Sequence, residues 1–312
     1  MTDATDATDA ADPADPADGG APLRTAVVVV SHQTRDHAMT CLAGLAAAGA
    51  DDVVLVDTGS TDGTADAVRA AYPNVRVLAV DNLGFGRGAN LGVAATDAPV
   101  VVVANADVRF APGSVSDLAD RLRRAPDVAA VGPLVRYPDG RAQASARRLP
   151  DPRTAVGHAV LSRIWPANPW TRRYRAADQD PGSPRDVDWL SGCALALRRE
   201  AFDAVGGFDP GYFLYVEDVD LGVRLGRAGW RLRYEPSARV VHAVGASTGT
   251  RRRRWSLTTH ARSLDRYYGK HLATTPLRRL ARPLVRVALA AWVAVTLVVE
   301  RLTGRRRSTT GE

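Results

Sequence analysis

Thr25-Ala26-Val27-Val28-Val29-Val30-Ser31 is an unbroken apolar run closed by a polar residue. A strand that is apolar on both faces is buried on both faces, as the strands of a parallel sheet are. The pattern recurs along the chain. Arg35 to Ala48 has helix-compatible spacing and ends at Gly49, and Asp52 to Val56 is a second apolar strand. Thr61 to Ala71 reads as a helix, with Ser60 or Thr61 as its cap and Pro73 beyond its end. Val75 to Val80, a Gly-rich helix from Phe85 to Ala95 and a strand from Pro99 to Ala104 follow. This rhythm predicts an α/β fold with a mainly parallel central sheet flanked by helices. Ligands of such sheets bind beyond the C-terminal ends of the strands. The polar clusters that start at Ser31, Asp57, Asn82 and Asn105 all fall at such ends and are expected to share one site.

The second half is less regular. Val128 to Val135 and Trp189 to Leu197 read as strands, and residues 137–185, rich in Arg and Pro, as an insertion over the site. Glu200 to Val205 and Asp218 to Ala228 read as helices, and Arg231 to Tyr234 and Arg239 to His242 as two short strands.

The chain has 312 residues, 46% of them hydrophobic, enough for a substantial core. Its net charge of +7 is uneven. Residues 1–20 hold six Asp and no Lys or Arg, which leaves about +13 for residues 21–312. Residues 1–22 read as a disordered acidic tail. They lack the basic start and apolar stretch of a signal peptide. Two cysteines, Cys41 and Cys193, have no metal-ligand spacing and suit a reducing compartment. Cys193 lies in an apolar run and reads as a core residue, not a nucleophile.

Arginines crowd the C-terminal segment, residues 249–312, on both sides of the 13-residue apolar run Val287 to Val299. That run is shorter than the roughly 20 residues needed to span a bilayer. An interfacial helix on an anionic membrane surface is the expected reading, and a helix docked on the core is the alternative. Nucleic acid is not expected as a partner, because stacking aromatics are not interleaved with the basic residues.

Val216-Glu217-Asp218-Val219-Asp220-Leu221 puts three carboxylates in five residues beside an aromatic-rich turn, Phe208 to Tyr215. Mutual repulsion and partial desolvation raise a carboxylate pKa toward that of a useful general base. Asp57, after Val53 to Val56, suits a nucleobase or ribose, whereas Asp62 is better placed as a helix cap. Asn82-Leu83-Gly84-Phe85-Gly86-Arg87-Gly88-Ala89-Asn90 offers close backbone approach and an arginine for a diphosphate. It also loosely fits a dinucleotide fingerprint, but that belongs to a first strand–helix turn and this is the third. Asp107 in Asn105-Ala106-Asp107 suits a hard cation. His242, at the end of a strand, is a second possible ligand.

Together these residues resemble the family 2 glycosyltransferases of the GT-A fold, from about Ala26 to Thr248. The resemblance rests on VVVVSHQT, DTGSTDGT, NLGFGRGANLG, NADV, GGFDPGYFLYVEDVDLGVRLGRAGW and the later His242. It implies a nucleotide-sugar-binding domain over residues 23–248. Further stretches, GPLVRYPDGRAQASARRLPDP, HAVLSRIWPANPW, DWLSGCALALRREAF and PSARVVHAVGAST, resemble the actinobacterial rhamnosyltransferases of cell-wall linker assembly. That implies an inverting transfer of L-rhamnose from dTDP-L-rhamnose to polyprenyl-diphosphate N-acetylglucosamine, at the cytoplasmic face of the membrane. A galactofuranosyl or other hexosyl transferase and a non-catalytic nucleotide-sugar-binding protein are the alternatives.

Carried over position by position, Asp218 is the catalytic base. Donor binding falls to Ser31, Asp57, Ser60, Asn82, Gly84, Arg87, Asn90 and Asp107. Trp189, Gly192, Glu217 and Asp220 lie toward the acceptor. A divalent cation, Mg²⁺ or Mn²⁺, is expected on Asp107 and His242, although Asn105 stands where many relatives have an acid and Ala243 where some have a second histidine. No oligomeric state is implied.

Overall fold

A computed structural model describes residues 23–149, 165, 168–169, 172, 180–243 and 250–303. The acidic tail, Trp170 and most of residues 150–179 lie outside the described residues. In chain order the elements run β1 (Thr25–Ser31), α1 (Arg35–Ala48), β2 (Asp52–Thr58), α2 (Thr64–Ala71), β3 (Arg76–Val80), α3 (Phe85–Ala94) and β4 (Val100–Asn105). Then come β5 (Val108–Phe110), α4 (Ser114–Arg124), β6 (Val128–Arg136), β7 (Ala146–Arg147), β8 (Arg185–Val187), β9 (Trp189–Leu190), β10 (Ala194–Arg198) and α5 (Arg199–Ala204). The last part comprises α6 (Glu217–Arg227), β11 (Arg231–His242), α7 (Thr250–Tyr267), a π-helical turn (Tyr268–Leu272), α8 (Pro276–Leu280) and α9 (Arg282–Thr303).

The main sheet has the order β3-β2-β1-β4-β10-β6-β11-β5, with β8 paired to β11. β10 is antiparallel to both β4 and β6, and β11 is parallel to β6. β3, β2, β1, β4, β6 and β11 therefore all point the same way, which is the mainly parallel sheet expected. This direction matters for the site, because β11 ends on the same edge as β2 and β4.

The four valines of β1 are fully or nearly fully buried, and successive side chains point to opposite faces. Val27 and Val29 join a core with Leu45 of α1 and Leu118 and Leu122 of α4. Val28 and Val30 join a second core with Phe85 and Val93 of α3, Phe202 of α5 and Leu221 and Leu225 of α6. Each buried valine contributes roughly 1.5 kcal/mol or more, so this strand holds both layers of helices on the sheet.

Several boundaries differ from expectation for local reasons. The run Trp189 to Leu197 is two strands, broken at Ser191-Gly192-Cys193, because β9 leaves the main sheet to pair with β7. Residues 231–242 form one strand with irregularities between Arg231 and Leu232 and between Glu235 and Arg239. β5, too short for a periodic signal, caps the β11 edge. α2 starts at Thr64, not Thr61. Asp62 accepts from the Thr64 amide at 3.1 Å and from the Arg35 amide at 3.0 Å, so it ties the starts of α2 and α1 together.

The C-terminal segment departs most from its reading. Helix formation runs through the flanking polar residues, so α9 is 22 residues long instead of 13, long and apolar enough by length and composition to cross a membrane. One face docks on α7: Arg253 pairs with Glu300, Arg282 and Arg286 with Asp265, and His260 with Trp292. The other face leaves Leu284, Val287 and Leu302 exposed, and Leu277 and Leu280 of α8 are each 77% exposed.

Candidate active site

The site is built at the C-terminal edge of the sheet. Ser31 and Asp57 end β1 and β2 as register partners, and both are buried. Ser60 donates to the Asp57 carboxylate and accepts from the Gln33 amide at 2.8 Å. Ser31 Oγ meets Thr34 Oγ1 at 2.8 Å. His32 bridges the neighbouring strand ends, with Nδ1 2.7 Å from the Thr58 carbonyl and Nε2 3.3 Å from Asn82 Nδ2. Ser31, Asp57, Ser60 and Asn82 thus gather at neighbouring strand ends.

The rest of the Asn82–Asn90 segment behaves differently. Gly84 has φ of 86°, and a Cβ there would stand 2.0 Å from the Phe213 carbonyl oxygen. Phe85 N–H donates to that same carbonyl at 3.1 Å. Arg87 Nε donates to the Pro210 carbonyl at 2.9 Å. The Asn90 amide both donates to and accepts from the Phe208 backbone, at 2.8 and 2.9 Å. Asn90 therefore pins the start of the 208–216 loop to α3. A Cβ at Gly92 would meet Val28 Cγ1 at 2.2 Å, so the later glycines seat α3 on the sheet. Close approach was foreseen here, but the partner is the 208–216 loop and the sheet.

That loop presents the acids. Tyr215 and Val216 both have positive φ, 69° and 70°. Left-handed geometry is strained for a β-branched residue, and it turns the chain so that Glu217 and Asp218 begin α6. Asp218 is partly open. Its Oδ2 accepts from the Gly192 amide at 3.0 Å and its Oδ1 from the Val219 amide at 2.8 Å. Burial raises its pKa against those amides and against the positive charge of Arg147. Glu217 is buried, its Oε2 has no hydrogen-bond partner, and burial together with the Asp218 charge pushes it up to about 8. Glu217 therefore holds a proton near neutrality, and burial raises Asp218 in the same direction.

Asp220 does not belong with them. Two residues along a helix lie on different faces, and Asp220 points into the protein. It accepts from Arg224 Nε at 2.7 Å, Lys270 Nζ at 2.7 Å and His271 Nε2 at 2.6 Å. Burial would raise its pKa, but these partners bring it below the usual carboxylate value. The expected acceptor contact at Asp220 is thus a clamp on the C-terminal segment. Asp209 makes a second clamp with Arg266 and Lys270. Trp189 sits across from Arg147 in the β7–β9 pair, with the guanidinium 5.5 Å from its ring.

Asp107 and His242 meet across the sheet edge, with Oδ1 to Nε2 at 3.1 Å. His242 Nδ1 lies 3.1 Å from Gln143 Oε1, and Asn105 Nδ2 lies 3.5 Å from His242 Nε2. Burial works against a proton on His242, but Asp107 and Cys193 outweigh it and push the pKa up to about 10. Among the described residues no three His, Cys, Asp or Glu side chains gather as a metal cage. Asp107 and His242 offer a carboxylate and an imidazole, two of the donors a divalent cation would need. The 3.1 Å between them is a hydrogen bond, so His242 would have to give up its Nε2 proton before the pair could hold an ion. Gln143 and Arg147 were not foreseen. They sit in the Arg-rich insertion, where nothing in the pattern separates them from their neighbours.

A mainly parallel sheet with polar residues gathered at its strand ends and a paired acid at a helix start defines the class, a glycosyltransferase of the GT-A fold. Two solved structures share the architecture: a mannosyltransferase from Pyrobaculum calidifontis with GDP-Man and Mn²⁺ (TM-score 0.57, 18% identity, 91% of this chain and 80% of that one) and GalNAc-T7 with UDP, GalNAc and Mn²⁺ (TM-score 0.56, 15% identity, 90% and 58%). The family described as "Glycosyltransferase like family 2" matches residues 22–262, and this chain belongs to it. It is 48% identical over 237 residues to the N-acetylglucosaminyl-diphospho-decaprenol L-rhamnosyltransferase of Mycobacterium tuberculosis, covering 72% of this chain and 77% of that protein.

Proposed function

We propose that this chain transfers L-rhamnose from dTDP-L-rhamnose to polyprenyl-diphosphate N-acetylglucosamine with inversion, in cell-wall linker assembly. The observation that carries this is the 48% identity to the mycobacterial rhamnosyltransferase over most of both chains. The geometry supplies the chemistry. Asp218, held by two backbone amides, takes the proton of the acceptor hydroxyl. The freed oxygen attacks the anomeric carbon as the bond to dTDP breaks, and the electron pair leaves with the diphosphate. No covalent enzyme intermediate forms. Protonated Glu217 keeps a second carboxylate charge away from the departing diphosphate. The Ser31, Asp57, Ser60 and Asn82 cluster suits the nucleoside. A divalent cation, Mg²⁺ or Mn²⁺, held by Asp107 and His242 would supply positive charge to the leaving diphosphate.

The apolar faces of α8 and α9 support a seat on an anionic membrane at its cytoplasmic side, where a lipid-linked acceptor resides. The test is transfer to polyprenyl-diphosphate N-acetylglucosamine in Mg²⁺, comparing dTDP-L-rhamnose, UDP-galactofuranose and UDP-glucose, each beside Asp218→Asn. Product from dTDP-L-rhamnose alone, lost in the variant, is expected. Transfer from another donor would refute the rhamnose assignment, and full activity of the variant would refute the base.

A further inference from the structure

A cleft of about 370 Å³ lies between the Gly211–Phe213 turn and α7, lined by Gly211, Phe213, Trp255, Thr259, Arg262 and Ser263. Its floor is closed. Thr259 and Ser263 are buried, and Ser263 Oγ donates to the Leu214 carbonyl at 2.8 Å. Its rim is aromatic. Phe213 and Trp255 meet edge to face at 6.0 Å, yet they remain 39% and 46% exposed. Large aromatics that pack on each other while half open to water offer a stacking surface to an apolar ligand.

The cleft also carries a charge. Arg253 and Arg266 of the same helix are spent on Glu300 and Asp209, whereas exposed Arg262 has no hydrogen-bond or ion-pair partner among the described residues. A guanidinium beside two open aromatic rings is complementary to an anionic head joined to an apolar chain. The surroundings favour a lipid. α7 bears the cleft against the 208–216 loop and also carries α9, whose outer face is apolar.

The cleft also borders the catalytic machinery. The turn that supplies Phe213 continues through left-handed Tyr215 and Val216 into Glu217 and Asp218, and its carbonyl abuts Gly84 of the donor-side loop. Tyr215 leans on α7 from the same side, with its hydroxyl 2.8 Å from Ser256 Oγ and its ring stacked on His260 at 5.2 Å.

We propose that this cleft holds the polyprenyl-diphosphate portion of the acceptor, with Arg262 on the diphosphate and Phe213 and Trp255 on the first isoprene units. The proposal rests on the reading of a lipid-linked acceptor, but its test does not need the sugar donor. Binding of geranylgeranyl diphosphate to the full chain in mixed micelles is measured by calorimetry, beside geranylgeraniol and inorganic diphosphate. Arg262→Gln and Trp255→Ala are compared with wild type and with Arg254→Gln, an exposed arginine on α7 outside the cleft. Both cleft variants change exposed side chains, and their thermal melts are expected to match wild type.

Wild type is expected to bind geranylgeranyl diphosphate more tightly than either fragment. Each cleft variant is expected to weaken it by about tenfold, and Arg254→Gln to leave it unchanged. No binding by wild type, equal binding by the cleft variants, or inorganic diphosphate bound as tightly as the lipid would overturn the proposal. A wrong donor sugar would leave the binding result standing, so the two readings fail separately.

Discussion

The Gly192 amide donates to Asp218 Oδ2 at 3.0 Å, which joins the break between β9 and β10 to the first turn of α6. A Cβ at Gly192 would stand 3.2 Å from Phe85 Cε1 and 3.6 Å from Asp218 Cβ. The strand therefore breaks where it must pass close to Asp218. The bond also divides the labour between two adjacent acids. Asp218 has amides to hold its charge, whereas the Glu217 Oε2 has no partner and its carboxyl stays protonated.

Replacing Glu217 with Gln tests that division. Its folded pKa, about 8, lies above the ordinary 4.5. Over that window the folded state holds more protons than the unfolded one, so stability falls as pH rises. Glu217→Gln removes the titration, and its melting temperature is expected to gain on wild type as pH rises from 5 toward 8. A glutamine is as neutral as the protonated acid, so kcat below about pH 8 is expected to stay near wild type. Melting curves that run parallel over this range would show that Glu217 does not hold a proton there in the folded state.

The fold was legible where burial is two-sided. Four valines in β1, and the apolar strands after it, sufficed for the sheet and for the edge that holds Asp57 and Asp107. The site was legible as residue types but not as directions. Asp218 and Asp220 look alike in sequence, and only the helical turn sends one to the site and the other to Lys270 and His271. Val216 carries no turn signal, because its left-handed conformation is imposed by the packing around it. The 13-residue apolar run understated α9, since helix formation does not stop where hydrophobicity does.

Gly84 offers a contrast between two glycines of positive φ. Gly63, at 78°, has nothing within 4 Å of an added Cβ, whereas at Gly84 the Phe213 carbonyl oxygen is 2.0 Å away. Gly84→Ala must push back the loop that leads into Asp218, the proposed base. It is expected to cost several kcal/mol of stability and at least tenfold in kcat. Gly63→Ala meets only the backbone penalty, about 1 kcal/mol, with kcat near wild type. Equal effects on kcat would show that the Gly84–Phe213 contact does not position Asp218.

Asp220→Asn leaves Arg224, Lys270 and His271 facing a neutral amide in a buried place. Removing one partner from a buried charge cluster costs about 3 kcal/mol or more, and here the loss falls on the bonds that fasten the π-helical turn to α6. Hydrogen exchange is expected to quicken in residues 250–303 before it does in β1 or β4. Uniform quickening throughout the chain would mean that Asp220 serves global stability and not the attachment of the C-terminal segment.

The open faces of α8 and α9 predict how the chain meets lipid. Leu280 and Leu284 are 77% and 72% exposed, so glutamates there leave the fold intact while removing apolar surface and adding negative charge. A leucine moved fully from water to an apolar phase is worth roughly 1.5–3 kcal/mol. The Leu280→Glu, Leu284→Glu double variant is accordingly expected to bind anionic vesicles at least tenfold more weakly in co-sedimentation. The arginines predict a second trend, weaker vesicle binding as salt rises, because exposed charges are screened within about 10 Å at 0.1 M. Alkaline carbonate then separates an interfacial helix from a spanning one. The ion pairs of α9 with α7, Arg253 to Glu300 and Asp265 to Arg282 and Arg286, tie the helix lengthwise to a helix on the catalytic domain. That arrangement favours a helix lying on the surface, so release by carbonate is expected. Retention in the carbonate pellet would mean that α9 leaves α7 and crosses the bilayer.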